Sequence, residues 1–248
     1  MSTRQRLDQA IEARGLLPSR ARARDAILRG TVTVNGVLAA KPHQPVGADD
    51  VIALNDPAAS YVSRAALKLI AGLDAVGIAV AGKVCLDAGA STGGFTQVLR
   101  ERGAARVYAV DVGHGQLHER LLNDPLVVSL EGCDVRDLDR TLIPEPIELL
   151  VCDISFVSVV KVLAAPLALC APDAKAVILF KPQFEVGREN VGRGGIVTDE
   201  AASERARAEM EAFLAAQGWT LMAAVPSPIS GGDGNRETVT VFSNSGPV

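Results

Sequence analysis

The sequence predicts an α/β protein: a doubly wound, mostly parallel sheet with a final antiparallel strand, preceded by a small α+β module. Three observations carry that reading. From Val84 onward, short apolar runs alternate with helical patterns, the order that βαβ units produce. Among them, VCLDAGASTGGFTQVL over 84–99 passes from an apolar run through a small-residue loop into a helical pattern at Phe95. That order describes a buried strand, a tight turn and a helix whose N-terminus faces a ligand. Residues 1–55 differ, with apolar positions recurring twice at helical spacing before a two-residue turn signal.

Taken in order, Leu7, Ala10 and Ile11 predict a first helix that stops at Gly15. Ser19 suits the N-cap of a second helix through Ala23, Ala26 and Ile27, ended by Gly30. Thr31–Val34, Asn35-Gly36 and Val37-Leu38 carry a type I′ hairpin signal, and Val51–Leu54 reads as a further short strand. The polar stretch NDPAAS over 55–60 reads as a linker, so the expected division is 1–55, a linker at 56–60 and a larger domain over 61–248. A helix beginning near Tyr61 is expected to bury Leu67, Ile70, Leu73 and Val76, with Lys68 beside that face. Strands are expected at 84–87, 106–111, 126–130, 147–153, 176–181, 219–225 and 237–242, with helices near 94–102, 114–122, 157–170 and 199–217. The Pro/Gly-rich 226–234 segment makes the last two strands a hairpin.

Composition narrows the function classes. At 248 residues, 48% hydrophobic and 22% charged, the chain can bury a sizeable core. Its apolar runs are too short and too interrupted for a membrane span, and MSTRQRLDQA lacks the apolar region of a secretory signal, so a cytoplasmic protein is expected. Cys85, Cys133, Cys152 and Cys170 are widely spaced and read as reduced core thiols. His114 and His118 are four apart without a third ligand in the pattern, so no metal site is expected. The net charge of −4 conceals an asymmetry: residues 1–55 hold eight Lys/Arg against five Asp/Glu, net +3, leaving −7 to the remainder. A basic N-terminal end on an acidic protein is a candidate phosphate-contacting face.

The chemistry gathers at predicted strand ends, where ligands bind in doubly wound sheets. The turn reads Gly89-x-x-x-Gly93-Gly94 rather than G-x-G-x-x-G, and Asp87 stands before it. A carboxylate there repels a dinucleotide's pyrophosphate and suits the sulfonium and amino group of S-adenosylmethionine. Asp111 ends the next strand, where it can accept from ribose hydroxyls, and Asp134 follows the third, where it can meet an adenine amino group. Asp153 in CDISF, Lys181 in LFKPQF and Glu237 in GNRE fall at further strand ends and, with Lys68, can converge on one cleft. Such a set can align an acceptor beside a bound cofactor and remove one proton, and it needs no metal. Lys181 is the expected base, with its pKa brought down from about 10.4 by burial and a neighbouring cation such as Lys68.

Two resemblances sharpen this reading. RLDQAIEARGLLPSRARARDAILRGTVTVNGVLAAKP, within residues 4–54, resembles the S-four type RNA-binding module, which implies Arg4, Arg6, Arg20 and Lys41 as RNA contacts. The set Lys68, Asp153, Lys181 and Glu237 resembles the K-D-K-E tetrad of FtsJ-like ribose 2′-O-methyltransferases. With DAGASTGGF, VDVGHGQL, CDISF, LFKPQFE and GGIV, nearly the whole chain resembles the TlyA family of rRNA methyltransferases, also labelled haemolysins. Within that pattern Asp134 stands where relatives often carry Asn. The resemblance implies a Rossmann-like class I methyltransferase sheet behind a small RNA-binding domain. It also implies S-adenosylmethionine as cofactor, cytidine in ribosomal RNA or ribosomal subunits as substrate, and the four tetrad residues as the catalytic set. The cofactor would be lined by Asp87, Gly89, Ser91, Thr92, Gly93, Gly94, Phe95, Asp111, Val112, Asp134, Val135 and Asp153. Two rival classes are a membrane-active haemolysin, against which the missing signal and spanning stretch argue, and a non-catalytic RNA-binding assembly factor, which would not bind the cofactor.

Overall fold

A computed structural model describes residues 4–231 and 234–245. The chain divides into two compact units, one ending at Ser60 and one beginning at Tyr61.

The first unit holds β1 (Gln5–Arg6), α1 (Leu7–Ala13), α2 (Arg20–Leu28), β2 (Val32–Val34), β3 (Val37–Leu38), β4 (Pro45–Val46) and β5 (Ile52–Leu54). Ser19 caps α2, its side chain accepting from Arg22 N. Asn35 and Gly36 both take positive φ, as a type I′ turn requires, and β2 pairs antiparallel with β3 and β5. The paired two-residue strands β1 and β4 carry too short a pattern to be read from sequence. Leu7, Ala10, Ile11, Ala23, Ala26, Ile27 and Val32 form the core. Residues 56–60 do not hang free. Arg29 makes a two-pronged bond to Asp56 at 2.7 and 2.6 Å, Arg22 donates to Ala58 O at 2.7 Å, and Ala58 is buried.

The second unit contains α3 (Ala66–Val76), β6 (Val84–Ala88), α4 (Gly94–Glu101), β7 (Arg106–Asp111), α5 (Glu119–Leu122), β8 (Val127–Glu131) and β9 (Ile147–Cys152). It continues through α6 (Ala164–Ala168), β10 (Cys170–Phe180), α7 (Pro182–Glu185), α8 (Glu200–Ala215), β11 (Trp219–Pro226) and β12 (Thr238–Asn244). The sheet order is β11-β12-β10-β9-β6-β7-β8, with β6 to β10 parallel and β12 antiparallel to both its neighbours. Alternate strand residues feed two cores. Leu86, Leu150, Ile178 and Phe180 face Met210 and Leu214 of α8, while Cys85, Leu149, Val151, Val177 and Leu179 face α3 and α4.

The helices are where the structure departs from expectation. α3 starts at Ala66 and buries Ala66, Lys68, Leu69, Gly72 and Leu73, a face rotated from the expected one, leaving Leu67 and Ile70 only half-buried. The cause is Gly72: a Cβ there would stand 2.7 Å from Val177 Cγ1 and 2.8 Å from Val239 Cγ1, so only the glycine face can lie this close to the sheet. The helix expected over 114–122 shrinks to α5, capped by His118, whose Nδ1 accepts from Arg120 N at 3.2 Å. The loop before it turns at Gly113 and Gly115. His114 lies in that loop beside Gly132, so the two histidines share no helix face. The helix expected over 157–170 breaks into a 3₁₀ turn at 159–161 and the short α6, while β10 takes Cys170 onward.

Candidate active site

The strand order makes the site. From β6 the chain moves to β7 and β8, then returns to β9 on the other side of β6, which opens a crevice beyond the carboxyl ends of β6 and β9. Register supplies its contents. Ala88 pairs with Cys152, so Gly89 and Asp153 emerge side by side, and Phe180 pairs with Thr238, so Lys181 and Glu237 emerge together although they lie far apart in sequence. Antiparallel β12 begins at the end where β10 finishes, which is why a residue before a strand meets residues after strands. Lys68 arrives from α3.

These four side chains form an alternating chain of charge. Lys68 Nζ lies 2.5 Å from Glu237 Oε2 and 3.4 Å from Asp153 Oδ2, and Lys181 Nζ lies 2.6 Å from Asp153 Oδ1. Lys68, Lys181 and Glu237 are each buried. Buried charges are tolerated when paired, and two ammoniums here balance two carboxylates. Asp153 Oδ1 and Glu237 Oε2 meet these ammoniums as close ion pairs outside hydrogen-bond alignment. Lys181 Nζ also donates to Asp153 O at 2.9 Å and Ser155 Oγ at 2.8 Å, so two of its N–H groups have acceptors beside the ion pair. The cation expected to press on Lys181 is instead separated from it by their shared partner, Asp153.

Two cavities meet at this chain. One, of about 440 Å³, is lined by Gly89, Ser91, Asp111, Val112, Asp134, Val135 and Asp153 among others. The second, of about 460 Å³, is lined by Lys68, Lys181 and Glu237 with Thr92, Gly94 and Phe95. Gly89, Ser91, Asp153, Ser155 and Phe156 line both. Such volumes suit a nucleotide-sized ligand. Gly89 is a cradle, since at φ +85 an added Cβ would stand 3.0–3.2 Å from Ile154 and the Asp153 backbone. Asp111 accepts from Ser91 N at 2.9 Å and Gly113 N at 2.8 Å. Each of its oxygens keeps a lone pair for a further donor. Asp134 accepts from Arg136 N and from the Arg136 guanidinium, whose side chain chiefly holds the carboxyl below its usual range. Both aspartates are therefore acceptors suited to hydroxyl or amino groups, and the residues present fit an adenosine-bearing cofactor.

Two expected cofactor residues lie elsewhere. Asp87 is fully buried and lines neither cavity; its Oδ2 accepts from Thr96 Oγ1 at 2.6 Å, which ties the end of β6 to α4. Desolvation, reinforced by Asp153, pushes its carboxyl up to about 7 against the Thr96 bond. Gly93 lines neither cavity either. At φ +94 it caps α4, and the space beside it is taken by Leu117 and Leu121. Ser155 and Phe156 are lining residues that the sequence pattern did not single out. Both stand in CDISF, and their signal was adjacency to Asp153. Phe156 takes φ +71, is 91% exposed, and packs its ring 5.5 Å from that of Phe184.

Among the expected RNA contacts, Arg6 donates to Asp8 at 3.0 and 2.9 Å, and Arg20 reaches the same carboxylate at 3.3 Å. The bond from Arg6, then that from Arg20, holds Asp8 down at about 2. Arg4 and Lys41 are exposed. No group of three or more His, Cys, Asp or Glu suited to a metal occurs among the described residues.

Comparison with known proteins agrees with this geometry. Residues 61–244 match the FtsJ-like methyltransferase family and residues 5–52 the S4 domain. The chain is 46% identical to the 16S/23S rRNA (cytidine-2′-O)-methyltransferase TlyA of Mycobacterium tuberculosis, over 96% of this chain and 89% of that protein. It is 39% identical to Hemolysin A of Brachyspira hyodysenteriae, over 96% of this chain and 99% of that one. A solved Streptococcus thermophilus protein with a provisional hemolysin name superposes with a TM-score of 0.76 at 33% identity, covering 99% of this chain and 90% of its own. With the sheet order, the paired lysines and carboxylates and these matches together, the chain belongs to the FtsJ-like methyltransferase family, in the TlyA group that joins this domain to an S4 domain.

Proposed function

We propose that this protein is an S-adenosylmethionine-dependent methyltransferase acting on the ribose 2′-hydroxyl of a cytidine in ribosomal RNA, and that it works in the cytoplasm. The observation that carries the proposal is the position of Asp153: it lines both cavities and pairs with both lysines. A donor in the first cavity and an acceptor in the second would meet at that residue. When bound, S-adenosylmethionine supplies a methyl group already activated on a cationic sulfur.

The chain's own residues then have distinct tasks. Asp111 and Asp134 accept from the cofactor's hydroxyl and amino groups, and Gly89 lets the backbone approach it. Lys181 takes the proton of the 2′-hydroxyl. That role belongs to the neutral amine, which keeps two N–H donors to hold its position against Asp153 O and Ser155 Oγ. Glu237 and Asp153 hold Lys68, whose ammonium offsets negative charge as the ribose oxygen loses its proton. Exposed Phe156 offers a ring at the mouth of both cavities on which a base can stack. Arg4, Arg6, Arg20 and Lys41 engage RNA phosphates, which positions substrate without reading sequence.

The test is to supply labelled S-adenosylmethionine to naked ribosomal RNA and separated subunits and to map the methylated ribose. Lys181→Ala is expected to keep cofactor affinity within about threefold while methyl transfer falls by about a hundredfold or more, the usual weight of a general base. Unchanged turnover would exclude Lys181 as the base. The hemolysin names of two relatives raise a second reading, membrane lysis. No helix of the described residues is long and apolar enough to span a membrane. Lysis by purified protein that persists in the Lys181→Ala variant would favour that reading.

A further inference from the structure

The residues after Asp153 and those after Lys181 run beside each other and are joined at three places. Lys181 Nζ reaches Asp153 and Ser155 at one end. In the middle the Phe184 ring meets that of Phe156. At the far end Glu185, the last residue of α7, accepts from Ser158 Oγ at 2.6 Å through Oε2 and from Val159 N at 2.9 Å through Oε1. The segment so held includes Phe156 at φ +71, a conformation that an aromatic residue adopts only when its surroundings impose it. Lys181 fixes the segment before Phe156 and Glu185 fixes it after. Burial pushes the Glu185 carboxyl above its usual range, against the pull of those two bonds. A carboxylate placed at that cost serves something other than solubility.

We propose that Glu185 is a positioning residue, which holds residues 153–158 in the shape that sets Asp153 and Phe156 at the junction of the two cavities. The proposal rests on the methyltransferase reading for its kinetic consequence and not for its structural one. Glu185→Ala removes both acceptors. Glu185→Gln restores both contacts with one polarity reversed, since the amide oxygen accepts from Val159 N while the amide nitrogen donates to the Ser158 hydroxyl.

The experiment uses the full-length protein and reads two quantities, methyl-transfer kinetics and amide hydrogen-exchange protection across 154–160. In Glu185→Ala, kcat is expected to fall about tenfold or more with the RNA KM within about threefold and with Tm changed by only a few degrees. Protection across 154–160 should fall as well. Glu185→Gln is expected to recover both to within about threefold of wild type. Unchanged protection in Glu185→Ala overturns the proposal, as does lost protection with unaltered kcat. A wild-type protein that transfers no methyl group at all would sink the methyltransferase reading instead, and the exchange comparison would still decide the clamp.

Discussion

At the scale of single residues, burial decides what a carboxylate does more than its place in a motif. Asp87, Asp111 and Asp134 all follow apolar runs, and sequence spacing treats them alike. The structure gives Asp111 and Asp134 a cavity wall and seals Asp87 beneath the glycine turn against Thr96. An acid whose folded pKa is raised, here to about 7, binds a proton in the native state that the unfolded chain releases near 3.8. Its contribution is therefore favourable below the unfolded value and is lost as pH rises through the folded one. Asp87→Asn keeps an acceptor for Thr96 and has no proton to lose. Urea unfolding at pH 5 and pH 8 should show the Asn variant gaining on wild type as pH rises, on the order of 2 kcal/mol by pH 8. Cofactor affinity should stay within about threefold. A parallel pH response in the two proteins would mean that Asp87 is ionised in the fold.

At the scale of elements, α3 connects stability to chemistry. Its contact with the sheet runs through Gly72, and Lys68 sits one turn earlier on the same buried face. Gly72→Ala adds about 1 kcal/mol of helix propensity but drives a methyl into Val177 and Val239. We expect a net loss of about 1–3 kcal/mol in urea unfolding. Methyl transfer should also slow several-fold as Lys68 is carried away from Glu237. Stability equal to or above wild type would show that the valines rotate aside without cost. The broken segments at 114–122 and 157–170 follow a different rule. Leu117 and Leu121 of the first, and Val159, Leu163 and Leu167 of the second, are buried in the cores without needing one continuous helix, and Gln116, Val157 and Val162 of the same segments line the first cavity.

At the scale of the whole molecule, charge is divided between the units. The unit ending at Ser60 carries a net +2 and the second unit −6, so the proposed RNA substrate is expected to favour the first unit over the acidic second one. Arg6 and Arg20 share Asp8, whereas Arg4 and Lys41 are exposed. Exchanging Arg4 and Lys41 together for Ala is expected to weaken RNA binding and to flatten its dependence on log salt by about 0.7–0.9 for each phosphate that is no longer neutralised. At saturating RNA, kcat should hold within about twofold. An unchanged salt slope in filter-binding or fluorescence titrations would show that neither side chain meets a phosphate.

What the sequence determined alone was local and periodic. The alternation of strand and helix patterns, the Asn35-Gly36 turn, the Ser19 cap and the glycine turn after β6 each depend on neighbours a few residues away, and each is present in the structure. The resemblance to the K-D-K-E tetrad also named Lys68, Asp153, Lys181 and Glu237, but not which of them touch. Only the tertiary structure decided that Asp153 stands between the two lysines, that Asp87 is sealed from the cavities, and that Glu185 reaches Ser158. Those facts follow from strand order and register, which bring residues together across long sequence separations, and from burial, which depends on what the rest of the chain places on top.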